Sequence, residues 1–412
     1  MLNEAPLPPA EAVRIVAAAA PALPAETVPL DEALGRVLAA DVASLCDHPT
    51  VDNSALDGYA CRIADTAGAG PDRPVRLRLV GEAPAGRPFA GRVGMGEAVR
   101  IFTGAGVPAG ADGIVPVEAS REPEGAAGSV EVLAEARAAD IRPKGQDLLD
   151  GHVYLRRGAR LHAGSLGLAA AMGHDRLEVA GRPRVALLTT GDEVIPPDRP
   201  LAPGQVYDSN AASIMALGRA AGADMVRLPA IGDDTGALRE ALGAAGGADL
   251  LLTSGGVSMG RYDLVRDLLF ERGEVTFWKL AMKPGGPALF GRLGETAVLG
   301  LPGNPVSSMV VFLVLARAYI DAALGRTDPP PYLDRRWARA RQRLRAAGSK
   351  ESLLRVRLFE EASATEVAPL TNQSSGVLRS MAEADALAVV APGRDVAPGE
   401  SVAVIPLAGH LR

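Results

Sequence analysis

Four patches of this chain carry more polar, turn-forming and charged residues than a connecting loop needs. The richest is Thr253-Ser254-Gly255-Gly256-Val257-Ser258-Met259-Gly260, set between an apolar β-type run and a helical pattern. Glycines such as Gly255 and Gly256 let a backbone approach a ligand closely, and the Ser254 and Ser258 hydroxyls can donate hydrogen bonds. A helix N-terminus that follows favours a phosphate or a similar oxyanion. The spacing is not that of a Walker loop, because no Gly-Lys-Ser/Thr follows, nor the Gly-x-Gly-x-x-Gly of a dinucleotide fold. A tight turn between strand and helix is the plainer reading of the same residues.

A second patch runs from Lys279 to Gly285 and continues at Gly300-Leu301-Pro302-Gly303-Asn304-Pro305-Val306-Ser307. Lys279 and Lys283 read as surface lysines with their stems on apolar surface. Lys283 also reads as an ammonium held by the rigid Pro284-Gly285-Gly286-Pro287 loop. Pro302 and Ser307 flank the start of a further helix, again a place that suits an anion. The carboxylates in the neighbouring loops are Glu193, Asp233 or Asp234, and Asp263. Alone they would repel an anionic substrate. With Mg²⁺ between them and a phosphate the set is sensible, since Mg²⁺ takes one or two carboxylates plus phosphate oxygens and water. Each of these acids reads equally as a helix-start residue. The two remaining patches are 52–60 (DNSALDGYA), and 103–108 (TGAGVP) with 142–147 (RPKGQD); taken alone they are Asx-type and glycine turns. Nucleophilic catalysis finds no support: neither Cys46 nor Cys61 is set in a helix-start or His-paired context, the five histidines lie outside the four patches, and there is no Gly-x-Ser-x-Gly elbow. Metal-stabilised transfer at a phosphate is the chemistry that remains.

The elements that must position these residues are clearest between 182 and 325. Strand-like runs at 185–188, 225–231, 250–253, 275–280 and 297–301 alternate with helical patterns. One helix follows Asp208-Ser209-Asn210, with Gly222 as its stop; others run through Leu238 and Leu242, over 264–269, and from 306 to 324. This predicts a mostly parallel sheet with helices on both faces and ligands at the carboxyl ends of the strands, where the polar clusters fall. Short runs at 75–80, 99–102, 113–117 and 130–133 predict a small β domain, flanked by helices at 10–20 and 165–172. After Asp328-Pro329-Pro330-Pro331, the alternation Leu354-Arg355-Val356-Arg357-Leu358 predicts a compact all-β tail.

The chain has 412 residues, 48% apolar and 22% charged, which allows two to four domains and excludes large-scale disorder. A net charge of −6 argues against a nucleic-acid binder. Two cysteines cannot build a disulfide framework, the N-terminal stretch lacks a basic signal region, and the apolar run 309–316 is too short to span a membrane. A soluble cytoplasmic protein is expected.

Seven motifs occur in order: DNSALDGYA (52–60), TGAGVP (103–108), IRPKGQD (141–147), TGDE (190–193), SGGVSMG (254–260), FWKLAMKPG (277–285) and GLPGNP (300–305). Together they resemble the molybdopterin molybdenumtransferase family, the bacterial MoeA proteins related to the E domain of gephyrin. The resemblance implies a multidomain α/β fold. Its parts are a linking domain of two segments (1–47 and 141–180), a small β domain (48–140), an α/β molybdopterin-binding domain (181–327) and a C-terminal β-barrel-like domain (328–412). It implies insertion of molybdate into adenylylated molybdopterin with Mg²⁺-dependent release of AMP, in a homodimer whose cleft draws on both subunits. Two other roles stay open beside it, a molybdopterin adenylyltransferase and a gephyrin-like scaffold.

Carried over by motif position, the site acids are Asp57, Asp147, Glu193, Asp233 and Asp263, with Glu193, Asp233 and Asp263 as metal ligands. The substrate-binding set is Thr103, Ser254, Gly255, Gly256, Ser258, Lys279, Lys283, Pro302, Ser307, Arg355 and Ser375. The expected partners are the pterin adenylate, molybdate and a second copy of the chain, with the adenylyltransferase and molybdoenzymes as candidate protein contacts; no nucleic acid and no membrane are expected. Three positions depart from the family pattern. Gln146 stands where Glu is common, Gly286 stands where a Lys is frequent after Lys-Pro-Gly, and Cys46 is unusual before Asp47-His48-Pro49.

Overall fold

The computed structural model describes residues 5–123, 128–232, 234, 236, 240, 243, 246–256, 264–361 and 364–408. Its central sheet has six strands in the order Asp224–Arg227, Arg184–Thr189, Leu250–Ser254, Thr296–Leu301, Pro287–Leu293, Glu274–Lys279. The first four are parallel. Leu250–Ser254 is buried at every position, as a central strand covered on both faces must be. The strand Pro287–Leu293 was not anticipated from the sequence, and it runs antiparallel to both neighbours. It forms a hairpin with Thr296–Leu301 that turns at Gly294, whose φ of +58° is the left-handed conformation such tight turns require. The strand expected over 225–231 is shorter and ends at Arg227.

The helix Ser209–Ala221 begins where the sequence places it: the Asp208 carboxylate accepts the Ala211 N–H at 2.9 Å, and Gly222 ends the helix with φ +100°. Leu238 and Leu242 lie outside the described residues. The last helix of this unit spans Pro305–Ala323, with a π-turn at Phe312–Ala316. By length and composition it could cross a membrane, but 94% of its apolar window is buried inside the protein. Within it Arg317 and Asp321 are buried as an ion pair at 2.9 Å, joined by Arg326 at 3.0 Å.

Five C-terminal strands close into a barrel: Glu351–Glu361, Ala364–Pro369, Arg336–Ala340, Ser401–Pro406 and Ala386–Val390, the last pairing back to the first. Alternation decides its two faces. Leu354, Val356, Leu358, Val367, Ala388 and Val404 cluster together inside. Leu353, Leu387 and Ile405 point outward and share one core with Val310 and Leu313 of the Pro305–Ala323 helix and with Val13 and Val16 of the N-terminal helix Pro9–Ala18. Each such side chain contributes about 1.5–3 kcal/mol by leaving water, so barrel and sheet are joined by continuous packing. The short strand Met282–Lys283 reinforces the junction by pairing in parallel with Glu351–Ser352.

The N-terminal part holds a second six-stranded sheet, ordered Gly113–Pro116, Gly58–Cys61, Glu97–Ile101, Val75–Ala83, Ser129–Val132, Ser120–Arg121. Segments on either side of it pair with each other, Ala25–Pro29 with Arg176–Ala180 and Val42–Ala43 with Val153–Leu155. Val28, Leu38, Leu148, Leu161 and Met172 form their common core.

Candidate functional site

The carboxyl ends of the parallel strands and the outer wall of the barrel enclose a cleft of about 1790 Å³. Nine residues expected from the sequence line it: Glu193, Ser254, Gly255, Gly256, Lys283, Pro302, Ser307, Arg355 and Ser375.

Local chemistry explains why each wall has its shape. Gly255 and Gly256 adopt φ of +96° and +67°. A Cβ at Gly255 would lie 2.9 Å from the Thr190 carbonyl oxygen, so only glycine lets this loop pack against the end of the first parallel strand. Gly191 has φ +133°, and the Glu193 carboxylate folds back over it, 2.8 Å from where a Cβ would stand. Asn210 donates from Nδ2 to Ser254 Oγ and to the Gly303 carbonyl, both at 2.8 Å, and so ties the two glycine loops together. The Val306 N–H donates to the Ser375 carbonyl at 3.1 Å, which fixes the barrel loop against the start of the last helix.

Arg355 is 1% exposed. Its Nε donates to Ser380 Oγ at 3.2 Å and its Nη2 to the Ser374 carbonyl at 3.1 Å. Burial pulls its pKa below the ordinary arginine range. Among the described residues it has no carboxylate partner. Lining cations outnumber lining acids: Lys283, Arg343, Arg345, Lys350 and Arg355 against Glu193 and Asp208. Asp208 is already engaged by Thr189, Ala211 and Arg227, each at 2.9 Å. In a chain of net charge −6, this concentration of positive groups makes the cleft a site for anions.

Asp57, Thr103 and Asp147 do not line this cleft. They lie where the first three motifs interlock: Asn53–Ser54 pairs with Ile141–Arg142, the Ser54 N–H donates to Ala105, and the Lys144 N–H donates to Asp52 Oδ1 at 2.7 Å. Asp57 Oδ1 accepts from the Thr103 N–H at 2.7 Å and the Thr103 hydroxyl at 2.8 Å. These bonds, with Arg100 nearby, hold the Asp57 carboxyl below the usual carboxylate range. Asp147 is exposed beside this cluster. Lys279 also stands apart from the cleft, its ammonium 3.8 Å from the centre of the Trp278 ring. Asp233, Ser258 and Asp263 lie outside the described residues.

Sequence reasoning overlooked Asn210, Arg343, Arg345 and Lys350 as cleft residues. Asn210 reads as part of a helix start, and the three cations sit in a basic stretch that looks like a solvated strand edge. Among the described residues no three His, Cys, Asp or Glu side chains gather as a metal site. Glu193 nevertheless fits a hard cation shared with a phosphate. It is an exposed cleft carboxylate that takes no hydrogen bond from the described residues.

Comparison with known proteins agrees along the chain. Residues 7–173 match the MoeA N-terminal region (domains I and II), 186–322 a probable molybdopterin binding domain, and 337–407 the MoeA C-terminal region (domain IV). Molybdopterin molybdenumtransferase of Haemophilus influenzae is 33% identical over 94% of this chain and 94% of its own length. Molybdopterin molybdenumtransferase 2 of Mycobacterium tuberculosis is 43% identical over 74% of this chain and 76% of its own. The crystal structure of a molybdopterin biosynthesis MoeA protein from Pyrococcus horikoshii superposes with a TM-score of 0.80 at 29% identity, covering 98% of this chain and 99% of that one. The chain belongs to the MoeA family of molybdopterin molybdenumtransferases.

Proposed function

We propose that the cleft inserts molybdate into the dithiolene of adenylylated molybdopterin and releases AMP. The observation that carries this reading is the surplus of cations around the cleft, among them a buried arginine that has no carboxylate partner among the described residues. Both substrates are anions, and molybdate is a tetrahedral dianion. In the reaction the phosphoanhydride of the adenylate is cleaved by water and AMP leaves. Molybdate exchanges one oxygen, lost as water with the two thiol protons, for two dithiolene sulfurs.

Lys283, Arg355, Ser307 and backbone N–H groups hold molybdate, because donors preset around a tetrahedral anion need not reorganise as charge moves. Ser254, Gly255, Gly256, Ser258, Pro302 and Ser375 cradle the pterin phosphate end, and Lys279 adds positive charge at its approach. Mg²⁺, held by Glu193 with Asp233 and Asp263, would supply charge neutralisation at the phosphate when bound. Asp57, Asp147 and Thr103 act on the cleft of a second copy in a homodimer. Their shared location on an exposed face, away from this chain's own cleft, supports that assignment. A dithiolene must stay reduced, and Cys46 and Cys61 are both free, so a cytoplasmic setting fits the chemistry.

The test is direct. Purified protein given adenylylated molybdopterin, molybdate and Mg²⁺ is expected to release AMP. Release no faster than a boiled control overturns the reading, and a parallel reaction with tungstate reports the oxyanion preference.

A further inference from the structure

Gly286 leaves the Lys-Pro-Gly loop one side chain short on the cleft side, and the structure shows what occupies the space. The ammonium of Lys350 lies 3.4 Å from the point where a Cβ of residue 286 would stand. Lys350 comes from a different unit, the loop that enters barrel strand Glu351–Glu361. Its place there is set by backbone pairing. The Glu351 N–H donates to the Ala281 carbonyl at 2.9 Å, and Met282–Lys283 pairs with Glu351–Ser352. Successive residues of an extended chain point to opposite sides. Glu351 accordingly turns away, accepting the Tyr332 hydroxyl at 2.5 Å, while Lys350 turns into the cleft. Among the described residues Lys350 has no ion-pair partner. Lys283 and Arg355 line the same cleft and, among the described residues, have no ion-pair partner either.

We propose that Lys350 is an anion-binding residue of the cleft. In this proposal it acts with Lys283 and Arg355 on one tetrahedral oxyanion and takes the position that Gly286 leaves open. Loss of a side chain at 286 and gain of an ammonium from the barrel then form a single exchange, in which two units of the fold share one subsite. The inference rests on the anion-cleft reading above and adds a residue to it. The ligand chemistry, a tetrahedral dianionic oxyanion, is common to molybdate and to the phosphate of the nucleotide.

Calorimetric titration of the full-length protein with molybdate alone, and separately with AMP alone, tests the proposal and distinguishes the two sources. Lys350→Ala is expected to weaken one of the two about tenfold, the scale of one lost charge-assisted hydrogen bond. Because Lys350 is exposed, its melting temperature should stay unchanged. In the Lys350→Ala background, Gly286→Lys is expected to recover most of the loss. Gly286 is not among the residues with positive φ, and a Cβ there would meet the Met282 carbonyl oxygen at 3.2 Å, so the exchange requires that carbonyl to give by a few tenths of an ångström. Weakened molybdate binding identifies the metal oxyanion as the ligand, and weakened AMP binding identifies the phosphate. If wild-type protein binds either probe and Lys350→Ala binds it equally well, the role of Lys350 is overturned while the cleft reading stands. If wild-type protein binds neither and releases no AMP from the adenylate, the cleft reading itself falls and takes this inference with it.

Discussion

Asp57 and Thr103 show how two residues far apart in sequence make one hydrogen-bonded unit. Two hydrogen bonds from Thr103 stabilise the carboxylate form of Asp57 and lower its pKa. The sign follows from that direction. A depressed carboxyl stays ionised as pH falls through the ordinary Asp range, and its contribution is lost only below it. Thr103→Val removes the hydroxyl but keeps the backbone bond. It should therefore raise the Asp57 pKa part of the way back and move the acid limb of AMP release to higher pH. A pH–rate profile checks this; an unshifted limb would remove Asp57 from the ionisations that govern the reaction. At the same scale, Gly255 and Asn210 are residues whose importance is geometric. One permits a backbone approach, and the other holds two loops at a fixed spacing.

Among the elements, the Pro305–Ala323 helix does most to hold the cleft together. Its first turn carries Ser307, its middle packs against the barrel, and its end carries Arg317 and Asp321, which Arg326 joins from just beyond the helix. Arg317 and Asp321 are each about 3% exposed. Removing one member of such a group leaves an uncompensated buried charge, which costs about 3–5 kcal/mol. Asp321→Ala should lower the urea midpoint accordingly, and a change below 1 kcal/mol would contradict the burial described here. The cluster also suits an apolar helix of membrane-spanning length to a protein core, since ionised side chains facing lipid would be stripped of water without the surrounding polar partners found here.

For the whole molecule, the proposed sharing of sites between two copies has a stoichiometric consequence. Asp57→Asn and Glu193→Gln should each be inactive alone. If a cleft uses Glu193 from its own chain and Asp57 from the partner, each mixed dimer retains one intact cleft of two. Denaturing and refolding the two variants together should then restore about a quarter of wild-type activity. Mixing that restores none would place Asp57 and Glu193 in the same chain's site or remove one of them from it.

Much of the architecture was legible in the sequence because it depends on interactions within a few residues. Asp208 and Gly222 bound a helix through their own backbone chemistry, the alternation at 354–358 reports a half-buried strand, and glycine-rich strand ends mark where a parallel sheet opens to ligand. The hairpin strand Pro287–Leu293 has a weak local signal, because its apolar run Ala288-Leu289-Phe290 is short and lies between the glycines of the Lys-Pro-Gly loop and Gly291. Which side chains share a cleft was not encoded at that range. Arg355 is buried at the cleft because the barrel's outer face is covered, Lys350 reaches Gly286 because a two-residue strand sets the register between two units, and Asp57 stays outside because its sheet is built elsewhere. Backbone preference is a local property of the chain. The destination of a side chain is set by surfaces hundreds of residues apart that pack only once, in the folded protein.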